Sequence, residues 1–244
     1  MSEYITMARK RIPWSDEGFD YHDVEKYFEF FDLSLRQYYT EVVEKILGPK
    51  NIEGKVLDLG CGFGILGMRI CSQDEFSSAV GLEPSRTLVK AAEVLSSRHG
   101  YNSRVTFKVW EEETFPFPDD EFHAVVSFLA LHKWNDPEKV LREIERVRKP
   151  NSIVYISDFR RDQPAIPFQL FLQQTRFEMG KEIASDLKKS FRSAYSVAEI
   201  TQLLDKLAIP DYRLEESKMW LNIISGLPEL DEPRQALETE PEIA

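Results

Sequence analysis

The apolar residues of this chain change rhythm along its length, and the changes mark its parts. Over the first 50 residues, Leu35, Tyr39, Val42 and Ile46 recur at three- and four-residue spacing, the stripe of an amphipathic helix, and Gly48-Pro49 supplies its stop. From Lys55 the pattern becomes short apolar runs at 56–59, 79–82, 105–109, 124–129 and 153–157, separated by helical stripes. One stripe is Leu88, Ala91, Ala92 and Leu95; another is Val140, Leu141, Ile144 and Val147, opened by Asp136-Pro137 as cap and first-turn residue. Strand, helix, strand in alternation predicts βαβ units on a parallel sheet.

After Asp158 the strand rhythm lapses into a helical stretch over 161–195, longer than an ordinary connection and therefore expected to shape a substrate pocket. Ser196-Val197-Ala198-Glu199 reads as a capping box that opens a helix with Ile200, Leu203, Leu204 and Leu207 on one face. Two further runs, 212–215 and 220–224, are expected to close the sheet as an antiparallel hairpin. The predicted fold is α/β: a doubly wound, Rossmann-like, mostly parallel seven-stranded sheet with helices on both faces. Its parts are a helical cap over 1–50, a core over 51–160, the insertion over 161–195, and the last helix and closing strands over 196–227. Residues 228–244 are acidic and contain Pro228, Pro233 and Pro241, so a disordered tail is expected there.

Composition narrows the function classes. The 244 residues carry a formal net charge of −11, which opposes a broad phosphate-binding surface and with it nucleic-acid binding. No apolar stretch is long enough to span a bilayer, and Met1-Ser2-Glu3-Tyr4 lacks the layout of a secretion signal, so a cytoplasmic protein without membrane insertion is expected. Cys61 and Cys71 are too few for a thiolate metal site and read as reduced, buried thiols.

The informative segment is Val56-Leu57-Asp58-Leu59-Gly60-Cys61-Gly62-Phe63-Gly64-Ile65-Leu66-Gly67. A buried strand runs into a glycine-rich turn and then a helix, which lets a ligand approach bare backbone at a helix N-terminus. Gly62-x-Gly64-x-x-Gly67 formally matches a dinucleotide fingerprint, a weak signal taken alone. Asp58 weighs against a dinucleotide: its charge, just ahead of the glycines, would repel a pyrophosphate but suits a ligand with an ammonium and a sulfonium. Glu83, at the end of the second strand, stands where doubly wound folds place an acid for ribose hydroxyls.

These residues resemble motif I of the class I S-adenosylmethionine-dependent methyltransferases. Gly81-Leu82-Glu83-Pro84-Ser85 is similar to the family's second strand-end motif. The runs 115–122, Leu131-His132-Lys133-Trp134, Val147-Arg148-Lys149-Pro150 and Ile156-Ser157-Asp158 follow in the expected order. The resemblance implies that Asp58, Gly60, Cys61, Gly62 and Gly64 hold the methionine end of S-adenosyl-L-methionine. Glu83 and Pro84 would flank the ribose, Glu111 and Glu112 the adenine, and Ser127 would complete the cofactor contacts. It also implies S-adenosyl-L-homocysteine as product and no metal. The family's pattern is broken by His123 in place of an aspartate and by Asn151-Ser152 in place of a Gly-Gly turn, where Asn tolerates the same left-handed backbone. An Asn/Asp-Pro-Pro-aromatic motif, which marks relatives that methylate nucleic-acid bases, is replaced by Ser127-Phe128-Leu129-Ala130.

Methyl transfer from a sulfonium needs alignment more than a universal catalytic group, but an acceptor that must lose a proton needs a base. His132 and Asp158, each at the end of a strand bordering the cleft, are the candidates; the plainer readings are a packed loop histidine and a helix cap. Arg160 and Arg161 suit an anionic acceptor or a solvated face. The reading is a methyltransferase with a small-molecule acceptor; the alternatives are a non-catalytic S-adenosylmethionine-binding scaffold or sensor and an NAD-dependent oxidoreductase.

Overall fold

A computed structural model of the chain describes residues 11–13, 24–47, 54–73, 77–110, 114–209 and 211–227. Its strands are β1 (Lys55–Leu59), β2 (Ser78–Glu83), β3 (Val105–Val109), β4 (Phe122–Phe128), β5 (Arg148–Phe159), β6 (Arg213–Glu216) and β7 (Trp220–Ser225). They form one seven-stranded sheet in the order β3-β2-β1-β4-β5-β7-β6. The first five strands are parallel, and β7 and β6 close the far edge as an antiparallel pair. The doubly wound sheet and the final hairpin are as the apolar rhythm predicts.

The helices are α1 (Val24–Glu29), α2 (Arg36–Leu47), α3 (Ile65–Gln73), α4 (Arg86–Arg98), α5 (Pro137–Val147), α6 (Ala165–Glu178), α7 (Lys181–Ser193) and α8 (Val197–Leu207). Strand β1 shows why both faces carry helices. Val56 packs into an apolar cluster shared with residues of α2, α3, α4 and α7, while Leu57 and Leu59 pack into a second cluster with residues of α5 and α8. A parallel strand buried on both faces reads as a nearly unbroken apolar run, and each such side chain contributes about 1.5–3 kcal/mol. Asp58 is the one acid in that run, and it is buried.

Local signals place the helix ends. Asp136 caps α5 by accepting from Lys139 N at 3.1 Å, with Pro137 in the first turn. Ser196 and Glu199 form the reciprocal capping box of α8. Asn151 takes a left-handed φ of 60°, the conformation expected where the family has glycine. The stretch 161–195 is broken at Gly180, whose φ of 98° ends α6 and begins α7. Ahead of the N-terminal stripe, α1 passes through a π-helical turn, Phe30–Ser34, before α2. Leu35, Tyr39 and Val42 are buried there, as the stripe requires, whereas the Ile46 side chain lies outside the described residues. The tail 228–244 lies outside them too.

The order of the sheet positions the site. The chain moves outward from β1 to β2 and β3, then returns to β4 on the other side of β1. Connections diverge at that reversal and leave a crevice at the carboxyl ends of β1 and β4, where ligands bind in open α/β sheets. Asp58, Glu83 and Asp158 all stand at or near carboxyl ends of strands around it.

Candidate active site

The turn after β1 is held down before it can hold anything else. Gly60 N and Cys61 N both donate to Leu82 O, at 2.8 and 3.1 Å, tying the loop to the end of β2, and Gly64 N donates to Cys61 O at 2.8 Å. Gly60, Gly62 and Gly64 have φ of 69°, 53° and 73°, left-handed values that a side chain resists. The three differ in surroundings. A Cβ on Gly60 would lie 2.3 Å from Ala130 Cβ, and one on Gly64 would lie 2.4 Å from the Phe107 ring, but one on Gly62 would enter open space. Gly60 and Gly64 are therefore required by packing, and Gly62 lines the open side of the turn.

This contrast yields an expected result. Gly64→Ala combines a left-handed backbone with overpacking, a cost of about 2–4 kcal/mol, and will lower Tm by roughly 5–15 °C. Gly62→Ala bears only the backbone term, about 1–2 kcal/mol, and will weaken S-adenosylmethionine binding more than it lowers Tm. Thermal unfolding and calorimetric titration check both; equal Tm losses would count against the assignment of Gly62 to the ligand side.

Two buried acids meet this turn. Asp58 Oδ2 accepts from Gly67 N, in the first turn of α3, at 3.2 Å. A carboxylate there also complements the positive end of the helix dipole. Glu83 uses both oxygens, Oε2 accepting from Gly62 N at 3.1 Å and Oε1 from Ser85 N at 3.0 Å. Burial pushes the Asp58 carboxyl up to about 7, the Gly67 N–H opposes this, and the Glu83 carboxylate adds to it; no basic side chain is among the influences. Burial and then the two carboxylates push the Cys61 thiol well up, so it stays protonated. Two acids gathered under a glycine turn fit a cationic nucleoside such as S-adenosylmethionine and do not fit a diphosphate. Asp58, the Gly62 side of the turn and Glu83 are the groups that can hold it.

The remaining residues picked from the sequence divide. Pro84 is exposed between Glu83 and Ser85, the N-cap of α4. Ser127 is buried and donates to Leu59 O at 2.8 Å, so its hydroxyl serves the seam between β4 and β1. Glu111 and Glu112 lie outside the described residues. Trp110 beside them donates its backbone N–H to Glu83 O at 3.1 Å and stands edge-on to Phe115 at 5.2 Å. His123, off the family's pattern, accepts from Lys55 N at 3.1 Å at the other end of the sheet. The cap contributes aromatics: Phe28 and Phe31 pack on Phe63 of the turn at 5.8 and 6.0 Å, and Tyr39 on Phe128 at 4.7 Å.

His132 and Asp158 come together. Beyond β4, Leu129 adopts a φ of 58° while its N–H donates to Ser157 O at 2.9 Å. A left-handed leucine costs about 1–3 kcal/mol, a strain found where a chain must be re-aimed. The 3₁₀ turn Leu131–Lys133 follows, and it sets His132 against the end of β5. His132 N donates to Asp158 Oδ2 at 2.7 Å, and Nδ1 lies 3.0 Å from each carboxylate oxygen. Phe159 N gives Asp158 Oδ1 a further hydrogen bond at 2.7 Å. Both residues are buried, at 1% exposure. With Nδ1 committed to the carboxylate, Nε2 is the nitrogen through which this imidazole can take up a proton.

A residue that sequence reasoning missed covers the pair from the N-terminal side. Arg11 donates to His132 O at 3.2 Å and to Ser193 O at 2.7 Å, and its guanidinium lies 4.0 Å from the centre of the Tyr195 ring. Nothing in the hydrophobic pattern marks such a contact, because it depends on which distant carbonyls the fold leaves open. Arg160 and Arg161 are internally paired, Arg160 with Asp162 and Glu216 and Arg161 with Glu199. Among the described residues no cluster of side chains suits a metal.

A doubly wound sheet with a glycine turn between two buried acids defines the class I S-adenosylmethionine-dependent methyltransferases. The chain belongs to the methyltransferase domain family, which matches residues 50–209. It is 30% identical over 115 residues to ajmaline N-methyltransferase of Rauvolfia serpentina, covering 47% of this chain and 39% of that one. It is 25% identical over 135 residues to 27-O-demethylrifamycin SV methyltransferase of Amycolatopsis mediterranei, covering 54% and 49%. The chain thus spans half or less of the length of these curated relatives. A SAM-dependent methyltransferase from Aquifex aeolicus has the same fold, with a TM-score of 0.62, 20% identity, and 85% and 98% of the two chains covered.

Proposed function

We propose that the chain transfers a methyl group from S-adenosylmethionine to a small-molecule acceptor that gives up a proton, with His132 as general base and Asp158 as its positioning partner. The observation that carries this reading is the buried His132–Asp158 pair at the carboxyl edge of the sheet, beside the acidic glycine turn.

The cofactor supplies an electrophilic methyl on a sulfonium, and the chain's own residues do the rest. Asp58 and Glu83 supply negative charge for the ammonium and the ribose and hold the turn in shape. Asp158 fixes the histidine's orientation and stabilises the imidazolium that forms when Nε2 accepts the acceptor's proton, a contribution of typically 10²–10⁴-fold in rate. The buried surroundings keep water from competing as acceptor. Ajmaline N-methyltransferase and 27-O-demethylrifamycin SV methyltransferase are both named for small molecules, which supports an acceptor of that class. The net charge of −11 supports it against nucleic acid. No described helix is long and apolar enough to cross a membrane.

The test is incubation with methyl-labelled S-adenosylmethionine and the low-molecular-weight fraction of a cell extract. Label is expected in a small molecule; tight cofactor binding without any label transfer would establish the scaffold reading instead.

A further inference from the structure

The direction of the His132 side chain is set by its backbone, and that backbone is held from two sides. His132 N donates to Asp158 Oδ2, at the end of β5, at 2.7 Å, and His132 O accepts from Arg11 Nη2 at 3.2 Å. These groups belong to the rigid peptide planes that meet at the His132 Cα, so holding both fixes the Cα–Cβ bond. The turn's internal hydrogen bonds, Lys133 N to Ala130 O at 2.9 Å and Trp134 N to Leu131 O at 3.1 Å, shape it but do not aim it.

The outer hold is itself anchored. Arg11 Nε donates to Ser193 O, at the end of α7, at 2.7 Å, and the neighbouring Ile12 N donates to Arg192 O at 3.1 Å. The guanidinium lies 4.0 Å from the centre of the Tyr195 ring. The Tyr195 hydroxyl in turn donates at 3.3 Å to the carbonyl of Trp134, which caps the His132 turn. Arg11 and Tyr195 therefore reach His132 O and Trp134 O and tie both to the α7–α8 joint. A guanidinium is shaped for this: separate N–H groups serve two carbonyls while the flat face rests on an aromatic ring, which the point charge of a lysine does not reproduce.

We infer that Arg11 is a positioning residue for His132. Seated on Tyr195, it holds the His132 carbonyl so that the imidazole meets Asp158, and it makes the alignment of that histidine depend on the α7–α8 joint of the helical insertion. This rests on the general-base reading of the pair. Among the described residues Arg11 contacts His132, Ser193 and Tyr195 and not the glycine turn or its acids, so its effect falls on rate and not on cofactor affinity. A displacement of about 1 Å at a catalytic group costs up to about 10²-fold.

The test compares Arg11→Ala, Arg11→Lys and Tyr195→Phe with the wild type in transfer of label from methyl-labelled S-adenosylmethionine to the low-molecular-weight extract fraction. Arg11→Ala is expected to be roughly 10- to 100-fold slower, by the same factor when the fraction is concentrated, as a kcat effect is. Its calorimetric affinity for S-adenosylmethionine should be unchanged, which also shows that the variant is folded. Arg11→Lys should lose nearly as much, and Tyr195→Phe, which keeps the ring without the hydroxyl, should lose less. Placed on His132→Ala, Arg11→Ala should cost nothing further, because its effect passes through the histidine. Undiminished transfer by Arg11→Ala, a loss that fades as the fraction is concentrated, full activity in Arg11→Lys, or a further loss on top of His132→Ala each overturns the inference. Wild-type rates in His132→Ala sink the general-base reading, and no transfer by the wild type sinks the methyltransferase reading. The inference falls with either, and each shows before an Arg11 variant is assayed, so the failures are distinct.

Discussion

Asp58→Asn will bind S-adenosylmethionine roughly 10- to 100-fold more weakly than the wild type, the loss of one charge-assisted interaction of about 1.5–3 kcal/mol, while raising the Tm of the cofactor-free chain at neutral pH and above, where the wild type must bury an ionised carboxylate. The asparagine oxygen can still accept from Gly67 N, so the turn keeps its anchor and only the charge is removed. Asp58→Ala loses both and will bind more weakly still. The wild type carries its own control in pH. Burial lifts the Asp58 carboxyl from its ordinary 3.8 to about 7 in the folded chain. Between those values the native state holds a proton that the unfolded chain has released, so this group's contribution to stability falls as pH rises and levels off above about 7. A cation bound beside the ionised carboxylate offsets that loss. The Tm increase caused by S-adenosylmethionine will therefore grow as pH is raised through about 7 in the wild type and stay flat in Asp58→Asn. Calorimetric titration and thermal shifts across that range decide the matter; a flat wild-type response, or an asparagine variant that binds normally, would remove Asp58 from the cofactor's surroundings.

The glycine turn and the two acids of the proposed cofactor site were placed by the sequence because their arrangement is local. Asp58 and the glycines are nearly consecutive, and Glu83 ends the next strand, so one βαβ unit brings them together without help from the rest of the fold. Local spacing could not show how the acids are used. Asp58 reaches forward to Gly67 N, and Glu83 reaches back across the turn to Gly62 N, contacts set by how α3 and the turn settle on the sheet. Ser127 shows the same limit: its place at the end of β4 was readable, its hydroxyl bond to Leu59 O was not.

The proposed acceptor side lay further from view for the same reason. Arg11, His132, Asp158 and Ser193 are far apart in the chain, and the fold brings them together through a left-handed turn at Leu129 and a helical insertion whose packing no periodicity reports. Local signals placed helix ends well, as at Asp136 and Ser196, because a cap is satisfied within four residues. The break at Gly180 was the exception, since a lone glycine inside a helical stretch does not by itself end a helix.

His132→Ala will lower the rate of methyl transfer by about 10²–10⁴-fold, the usual contribution of a positioned general base, without weakening S-adenosylmethionine binding. Asp158→Asn will lower it too, because the carboxylate's role is exerted through the histidine. The diagnostic case is the double variant. Residues that act as one unit give losses that do not add, so His132→Ala with Asp158→Asn should be no slower than His132→Ala alone. Removing His132 also deprives the buried Asp158 of its imidazole partner, and some loss of Tm is expected in the alanine variant. Cofactor affinity and partial rescue of the rate by added imidazole separate lost chemistry from lost structure. Additive rate losses, or an alanine variant that turns over normally, would reduce the pair to a strut between β4 and β5 and leave alignment of the acceptor as the chain's whole contribution to the rate.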